Sequence, residues 1–432
     1  MQNGLRRFTY SKTFIVGFGF LGISIIWPVF NQFIPLFLQA GNPQFEAQLL
    51  AEGRSIPDIV GFGLAPSLAL FIMTWDNLIN IFIQPWVGAR SDRTWTRFGR
   101  RKPWILLGLP IAVIGFVLLP FAQTALALAV FILITNFGMA LFRSPTVAWL
   151  GDLFLPDDRS KANGIINLMG GIGSLLAFLG GGYLFNNVGR AAPFIGGAIL
   201  MVVALAVAVW RVREPKELGG DAAAEPQRPL MENLRALAGD PKQRGLFYVL
   251  LGILFWFIGF NALEAGLSSF AVFSLGISPG SAAIYSASIS LSFIVFSLPA
   301  GLLGTHFGRR GVILSGLTGL TILLAAGYFV VQGAATFVVV LAIGGLFWAL
   351  VNVNSLPMVY DFGNERLIGA FTGLYYFSSQ LAAVIGPTLG GVVVDVMGDQ
   401  YRWMFPFSAV FMALAWVAIS RIRKDDVLGV PA

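Results

Sequence analysis

The stretch 75–105, WDNLINIFIQPWVGARSDRTWTRFGRRKPWI, decides how the chain is read. It starts inside an apolar segment that carries one carboxylate, Asp76. It then passes through a loop with six basic residues, Arg90, Arg93, Arg97, Arg100, Arg101 and Lys102, and turns apolar again at Trp104. The pattern is that of a helix leaving lipid with a charge on board, a cationic surface loop, and a second helix returning.

The rest of the chain agrees. Its 432 residues are 56% hydrophobic and 11% charged, with a mean hydropathy of +0.78, which is too apolar for a soluble globular protein. A bilayer-spanning helix takes roughly 20 apolar residues. Twelve such runs are found, near 13–38, 64–88, 103–123, 125–149, 163–184, 192–212, 246–270, 282–305, 311–332, 336–358, 367–396 and 402–420. The first is too long for a signal-peptide core and has no small-residue cleavage site, so it is read as retained. The expected fold is therefore an all-α membrane protein. The absence of cysteine excludes disulfides and thiolate metal sites.

Charge placement gives an orientation. With both termini cytoplasmic, 24 of the 28 Lys and Arg fall in inner segments, Arg54, Arg190 and Arg402 fall outside, and Arg143 lies within a helix. This is the positive-inside pattern. The net charge of +7 thus follows from topology, and no nucleic-acid partner is expected. The longest polar connection, 213–245, reads as a cytoplasmic linker with a short surface helix near Met231 to Ala238. It separates an N-terminal six-helix bundle, 1–212, from a C-terminal one, 246–432. The halves repeat devices: FGRRKP at Phe98 against FGRRG at Phe307, and a Pro145, Asp152, Arg159, Gly164 series against Pro357, Asp361, Arg366, Gly369. Duplicated six-helix halves around a midplane site are a transporter architecture.

The motif GARSDRTWTRFGRRKP, 88–103, resembles the loop signature of the major facilitator superfamily, G-x-x-x-D-R-x-G-R-R, with three residues inserted before Phe98. That insertion, with WDNLIN and KPWIL, resembles the glycoside-pentoside-hexuronide cation symporters, and SPTVAWLGDL at 144–153 is similar to the fourth helix of plant sucrose transporters and their animal and bacterial relatives. The superfamily resemblance covers the whole chain and the sugar-transporter resemblance only these motifs. It implies two pseudo-symmetric bundles and sugar transport. The melibiose permease of the symporters has a second helix-two carboxylate where this chain has Asn80, and a fourth-helix carboxylate where it has Arg143. A carboxylate-rich sodium site is thus poorly supplied, and protons are the expected coupling ion. Plant sucrose transporters match Asp152 but carry Arg where this chain has Val147.

An ionisable group at mid-membrane costs roughly 2.5 to 3.5 kcal/mol on insertion scales, so it should face a cavity or a partner. Asp76 precedes Arg90 by about 21 Å of helix, and Arg143 precedes the exit near Leu155 by about 18 Å, at 1.5 Å per residue. Both lie near mid-depth in one half, close enough to pair directly or through water or sugar hydroxyls. The rival reading is a static ion pair that pins two helices. Asp152 is either a proton-binding carboxylate, as the resemblance implies, or a helix-end acid answering the cationic loops. Asp76 and Glu264 are further proton candidates. Asp92, Arg93, Arg100 and Arg101, with Asp361 in the second half, are expected to latch a gate, while Arg90 and Arg97 need only the positive-inside rule.

Sugar recognition needs aromatic faces and fixed amides. Trp27, Asn31 and Gln32 supply them in the first run, Asn261 and Glu264 in the seventh, Trp348, Asn352 and Asn354 in the tenth, and Tyr375, Tyr376 and Gln380 in the eleventh, beside Asp76, Asn80 and Arg143. Polar side chains in lipid spans also tie helices together. GGIG at Gly170 has no preceding strand and reads as close helix packing. The absence of a G-x-x-x-x-G-K-[ST] loop argues against ATP-driven transport. His306 reads as a surface residue, and Pro28, Pro85, Pro145, Pro299, Pro357 and Pro387 as kinks. No catalytic constellation and no cofactor are expected. The chain reads as a monomeric carrier for an α-glucoside such as maltose or sucrose, in a bacterial inner membrane. The rivals are a drug or small-molecule exporter and a non-transporting sensor.

Overall fold

The computed structural model of the protein describes residues 9–154, 156–214, 244–362 and 368–422. All but the two ends of the expected linker, including the helix expected near Met231, lie outside them, as do Arg366 and the side chain of Arg159.

Twelve described helices are long and apolar enough to cross a membrane. They are α1 Tyr10–Gln39, α2 Pro66–Arg93, α3 Lys102–Phe121, α4 Ala125–Leu153, α5 Ala162–Asn187, α6 Ala192–Arg211, α7 Arg244–Ser274, α8 Pro279–Phe307, α9 Arg309–Val330, α10 Ala334–Tyr360, α11 Phe371–Val396 and α12 Tyr401–Ser420. Each coincides with one of the twelve expected runs. Large apolar side chains such as Phe82, Leu126, Leu298 and Ile322 are exposed along them. Exposed apolar surface on this scale is stable only against lipid, and helices meet the bilayer's demand that every backbone polar group be bonded internally. The protein is an integral, multi-pass membrane protein.

The chain forms two compact units, Met1–Ile34 with Trp75–Ala222, and Pro35–Thr74 with Ala223–Ala432. In the first, α3 and α4 pack along their length, α2 lies on α4, and α5 on α6. The backbone of α5 approaches α1 so closely that a Cβ at Gly173 would fall 2.6 Å from the Leu21 carbonyl oxygen. This is the close packing expected of GGIG, where small residues let helices meet.

In the second unit α7 packs on α11 and α12, α8 on α10, and α9 on α10 and α12. Residues 35–74 belong here because their polar groups find partners here. Gln39 Nε2 donates to Ser269 Oγ at 3.1 Å, and the Tyr401 hydroxyl donates to Gln39 Oε1. Asn42 reaches Asp399, the Ser67 N–H reaches Asp395 at 3.1 Å, and Arg54 donates to the Ser274 carbonyl at 2.6 Å. A short helix, Pro43–Ala51, starts in this segment with Asn42 as cap and Pro43 in its first turn, the favoured N-terminal chemistry. It buries Phe45 against Phe273, stacked at 4.8 Å.

Candidate functional site

Helix α2 is broken. Its first segment, Pro66–Ile72, ends in a turn at Met73 and Thr74, and the helix restarts at Trp75. The restart puts Asp76 in a first turn, where unpaired backbone N–H groups and the helix dipole favour a carboxylate. Asn77 Nδ2 donates to Asp76 Oδ1 at 2.9 Å. From α4, Arg143 acts electrostatically on the Asp76 carboxylate and lies 6.0 Å from the centre of the Trp27 ring on α1, within cation–π range. The first unit thus brings together a carboxylate, a guanidinium and an indole face.

Polar groups run on from this cluster along helix faces. Asn80 and Gln84 follow Asp76 at four-residue steps, one stripe of α2, and Asn136 precedes Arg143 by two turns of α4. Trp27 Nε1, Gln32 Oε1, Asn80 Oδ1, Gln84 Nε2 and Asn136 Oδ1 are buried and have no hydrogen-bond partner among the described residues. An unmade buried hydrogen bond costs about 1–3 kcal/mol, so these five atoms of the first unit hold unused bonding capacity. Gln84 and Asn136 were not among the expected residues, although their spacing from Asp76 and Arg143 carries the signal. Asn31 is half-buried.

The second unit supplies aromatic faces. Trp348 of α10 stacks on Phe260 of α7 at 3.9 Å and 4°, and meets Phe257 edge-on at 5.5 Å. Tyr375 of α11 packs edge-on against Phe257 at 6.3 Å and against the exposed Tyr376 at 5.4 Å. Its hydroxyl shares a 3.1 Å hydrogen bond with Ser355 Oγ. Trp256 Nε1 and Gln380 Oε1 are buried without a hydrogen-bond partner among the described residues. Asn354 is placed otherwise: its amide donates to the carbonyls of Ala300 and Leu350, both at 3.0 Å, which ties α8 to α10. Asn261 and Asn352 are half-buried, and Glu264 and His306 are exposed.

A second constellation gathers at the cationic ends of α2, α4 and α6. Asp152 Oδ1 accepts from Arg100 at 2.6 Å, and Asp152 Oδ2 accepts Arg101 Nε at 2.8 Å. Arg101, only 4% exposed, also pairs with Asp92 and donates to Ser91 Oγ. Burial opposes its charge, but Asp152 and Asp92 more than offset that and raise its pKa above the usual guanidinium value. Glu214, just past α6, was counted with the linker. Its carboxylate accepts the backbone N–H groups of Arg100, Arg101 at 2.9 Å and Lys102 at 3.1 Å, and the Trp149 indole N–H at 3.0 Å. It therefore caps the start of α3, where an acid is favoured. Gly99 makes room for it: its φ is +117°, and a Cβ there would fall 2.5 Å from Glu214 Oε2. Arg93 is exposed and outside the cluster.

The second unit repeats the device with a different acceptor. Arg309 pairs with Asp361 and donates to the Pro357 carbonyl at 3.3 Å. Arg310 donates to the carbonyls of Ile419 at 3.3 Å and Ser420 at 2.9 Å. Here the last carbonyls of α12 take a guanidinium, whereas Glu214 beyond α6 takes backbone N–H groups and an indole N–H.

The family model of the Major Facilitator Superfamily matches residues 13–291 and 266–429. Sucrose transport protein SUC3 of Arabidopsis thaliana is 31% identical over 147 residues, 29% of this chain and 25% of its own length, so the chain spans about a quarter of that relative. Multidrug resistance protein 2 of Bacillus subtilis is 23% identical over 94% of this chain and 93% of its own. Among solved structures, the nucleoside transporter NupG shares the fold at a TM-score of 0.72 and 13% identity, over 96% of this chain and 100% of its own.

Proposed function

The chain belongs to the Major Facilitator Superfamily, and from that premise we propose that this transporter carries a disaccharide, an α-glucoside such as maltose or sucrose, by alternating access coupled to protons. It is a transporter and not an enzyme. The observation that carries the sugar reading is the set of buried, unpartnered polar atoms on Trp27, Gln32, Asn80, Gln84 and Asn136 beside the Asp76, Arg143 and Trp27 cluster. Neutral amides and indole N–H groups in that number suit hydroxyls, which both donate and accept. The similarity to a sucrose transporter supports the same reading.

Asp76, at the restart of α2, is the proton-binding carboxylate in this proposal, with Arg143 as its charged partner. The charge asymmetry of the loops supports cytoplasmic termini, and a bacterial inner membrane is the proposed location. The cluster of Asp92, Asp152, Arg100 and Arg101 is the latch that forms in one state and breaks in the other.

The near full-length similarity to a multidrug protein favours one rival, a drug exporter. Counterflow of labelled maltose and sucrose in proteoliposomes separates them. Sugar counterflow that Arg143→Gln abolishes, together with proton-driven accumulation that Asp76→Asn abolishes, supports the proposal. Drug flux without sugar flux overturns it.

A further inference from the structure

Helices α1 and α2 pass from the first unit to the second part-way along their length. The division falls between Ile34 and Pro35 in α1 and between Thr74 and Trp75 in α2. Both places are weak points of the helices themselves. Pro35 has no N–H with which to close the turn behind it. Helix α2 is interrupted at Met73 and Thr74, where the Thr74 hydroxyl and N–H both turn back onto the Phe71 carbonyl, at 2.7 and 2.9 Å.

Residues 35–74, between these points, are bonded to one another. The N–H groups of Phe62, Gly63 and Leu64 donate to the carbonyls of Phe37, Ala40 and Leu38 at 3.1, 2.9 and 2.9 Å, so the chain returning toward α2 is tied to the end of α1. A Cβ at Gly61 would fall 2.7 Å from the Ala40 carbonyl oxygen, a close approach that only glycine permits.

The end of α11 holds this segment down. Gly391 and Asp395 lie one turn apart on one face. A Cβ at Gly391 would fall 2.7 Å from the Ser67 Cα, and Asp395 Oδ1 accepts the Ser67 N–H at 3.1 Å. Ala65, which precedes Pro66, has no side-chain acceptor of its own to offer there. Asp399, just past α11, accepts from Asn42 Nδ2 at 3.4 Å, and Asn42 in turn caps Pro43–Ala51. Gln48 covers the same corner through its bond to the Gly398 carbonyl at 2.8 Å.

The two acids have little to offset their charge. Asp399 is 7% exposed, and it faces Asp395 of α11, the Tyr401 hydroxyl of α12 and the Asn42 amide. Among the described residues neither acid has a cation within ion-pair distance. Arg54 pairs with Glu52, and Arg402 donates to the Tyr328 carbonyl. Burial and the neighbouring acid therefore push the Asp399 carboxyl up, against the pull of Asn42. Lifting the segment returns Asp399 to water and its pKa toward the ordinary value. A proton thus favours the settled position, most at acidic pH and progressively less as pH rises through the raised value.

We propose that residues 35–74 form a strap, hinged at Pro35 and at Met73–Thr74, that lifts from the rest of the second unit and settles back as one body, and that a proton on Asp399 holds it down.

The chain has no cysteine, so one introduced thiol reports alone. The purified full chain in lipid nanodiscs is used throughout. Ser269→Cys puts a thiol at a fully buried position that Gln39 of the strap covers, and Leu50→Cys puts one on the exposed side of the strap. The maleimide labelling rate at the first, divided by that at the second at the same pH to cancel thiol ionisation, measures how often the strap lifts. The ratio is expected to rise from acidic to neutral pH. Added Asp399→Asn is expected to hold it at its acidic value throughout. Added Gly391→Ala, whose methyl group meets backbone at Ser67, is expected to raise it about tenfold, a shift of about 1.4 kcal/mol in the lifting equilibrium. Should Gly391→Ala not fold, the Asp399→Asn profile decides alone. A ratio constant with pH, a pH dependence that survives Asp399→Asn, or a ratio that Gly391→Ala leaves unchanged overturns the proposal. No readout involves flux, so failure here leaves the transport reading untouched, and failure of that reading leaves this one standing.

Discussion

Asp152 holds Arg101 as a fork: Oδ2 accepts Nε at 2.8 Å while Oδ1 accepts a terminal amino group at 3.3 Å. The side chains are 13% and 5% exposed, whereas the corresponding pair of the second unit, Arg309 with Asp361, is 36% and 30% exposed. Breaking a buried pair leaves an uncompensated charge and costs about 3–5 kcal/mol. An exposed pair contributes about 0.2–1 kcal/mol. Asp152→Asn is therefore expected to lower the thermal midpoint of the detergent-purified protein by many degrees and Asp361→Asn by few. Equal shifts would contradict this assignment of burial.

Glu214 and Gly99 are expected to be coupled. Gly99→Ala meets both a positive φ and the carboxylate, so it should destabilise by about 1–3 kcal/mol. Glu214→Ala leaves three N–H groups and an indole to find water, at a similar cost of about 1–3 kcal/mol. If the carboxylate is what the new methyl group strikes, the double variant is less destabilised than the sum of the singles. Thermal midpoints of the four proteins complete the cycle, and strict additivity would disconnect the two residues.

The twelve spans were legible because each is a run of apolar residues whose length the bilayer dictates, and the Asp152 and Asp361 series was legible because the halves repeat it. Other features left weaker traces. The restart of α2 at Trp75 has neither Pro nor Gly at positions 73 and 74, so no breaker announces it. Docking of residues 35–74 depends on pairs such as Gln39 with Tyr401, 362 positions apart, and no local pattern encodes that. Glu214 was hidden by its place in a polar connection, although an acid directly after a span and opposite six cations is a signal. Asn354 shows the converse: its residue type suits a sugar, and only its bonds to Ala300 and Leu350 show where its amide is used.

The polar stripe of α2 gives a graded expectation for transport. Asp76→Asn removes the charge that Arg143 acts on and should abolish proton-driven accumulation while sparing some counterflow. Asn80→Ala and Gln84→Ala remove neutral hydrogen-bonding groups without such a partner, and each should raise the apparent KM about tenfold, the loss of about 1.4 kcal/mol of binding. Initial rates of labelled sugar uptake with and without an imposed pH gradient read both effects. Unaltered accumulation by Asp76→Asn at every pH would remove Asp76 from the mechanism.

Asp399 gives a pH dependence to the second unit. It lies between α11 and α12, buried, with a φ of +58°. Burial pushes its carboxyl above the usual 3.8, the bond from Asn42 pulls it back, and the charge of Asp395 pushes it up again. The net shift is upward, so the folded protein binds this proton more tightly than the unfolded chain does. The stabilisation from this group is full below the unfolded value and is lost as pH rises through the folded one. Asp399→Asn fixes the uncharged form, and Asn tolerates the left-handed conformation. Its thermal midpoint should match that of the parent at acidic pH and exceed it at neutral pH. A constant difference across the range would show that Asp399 does not titrate in the folded protein.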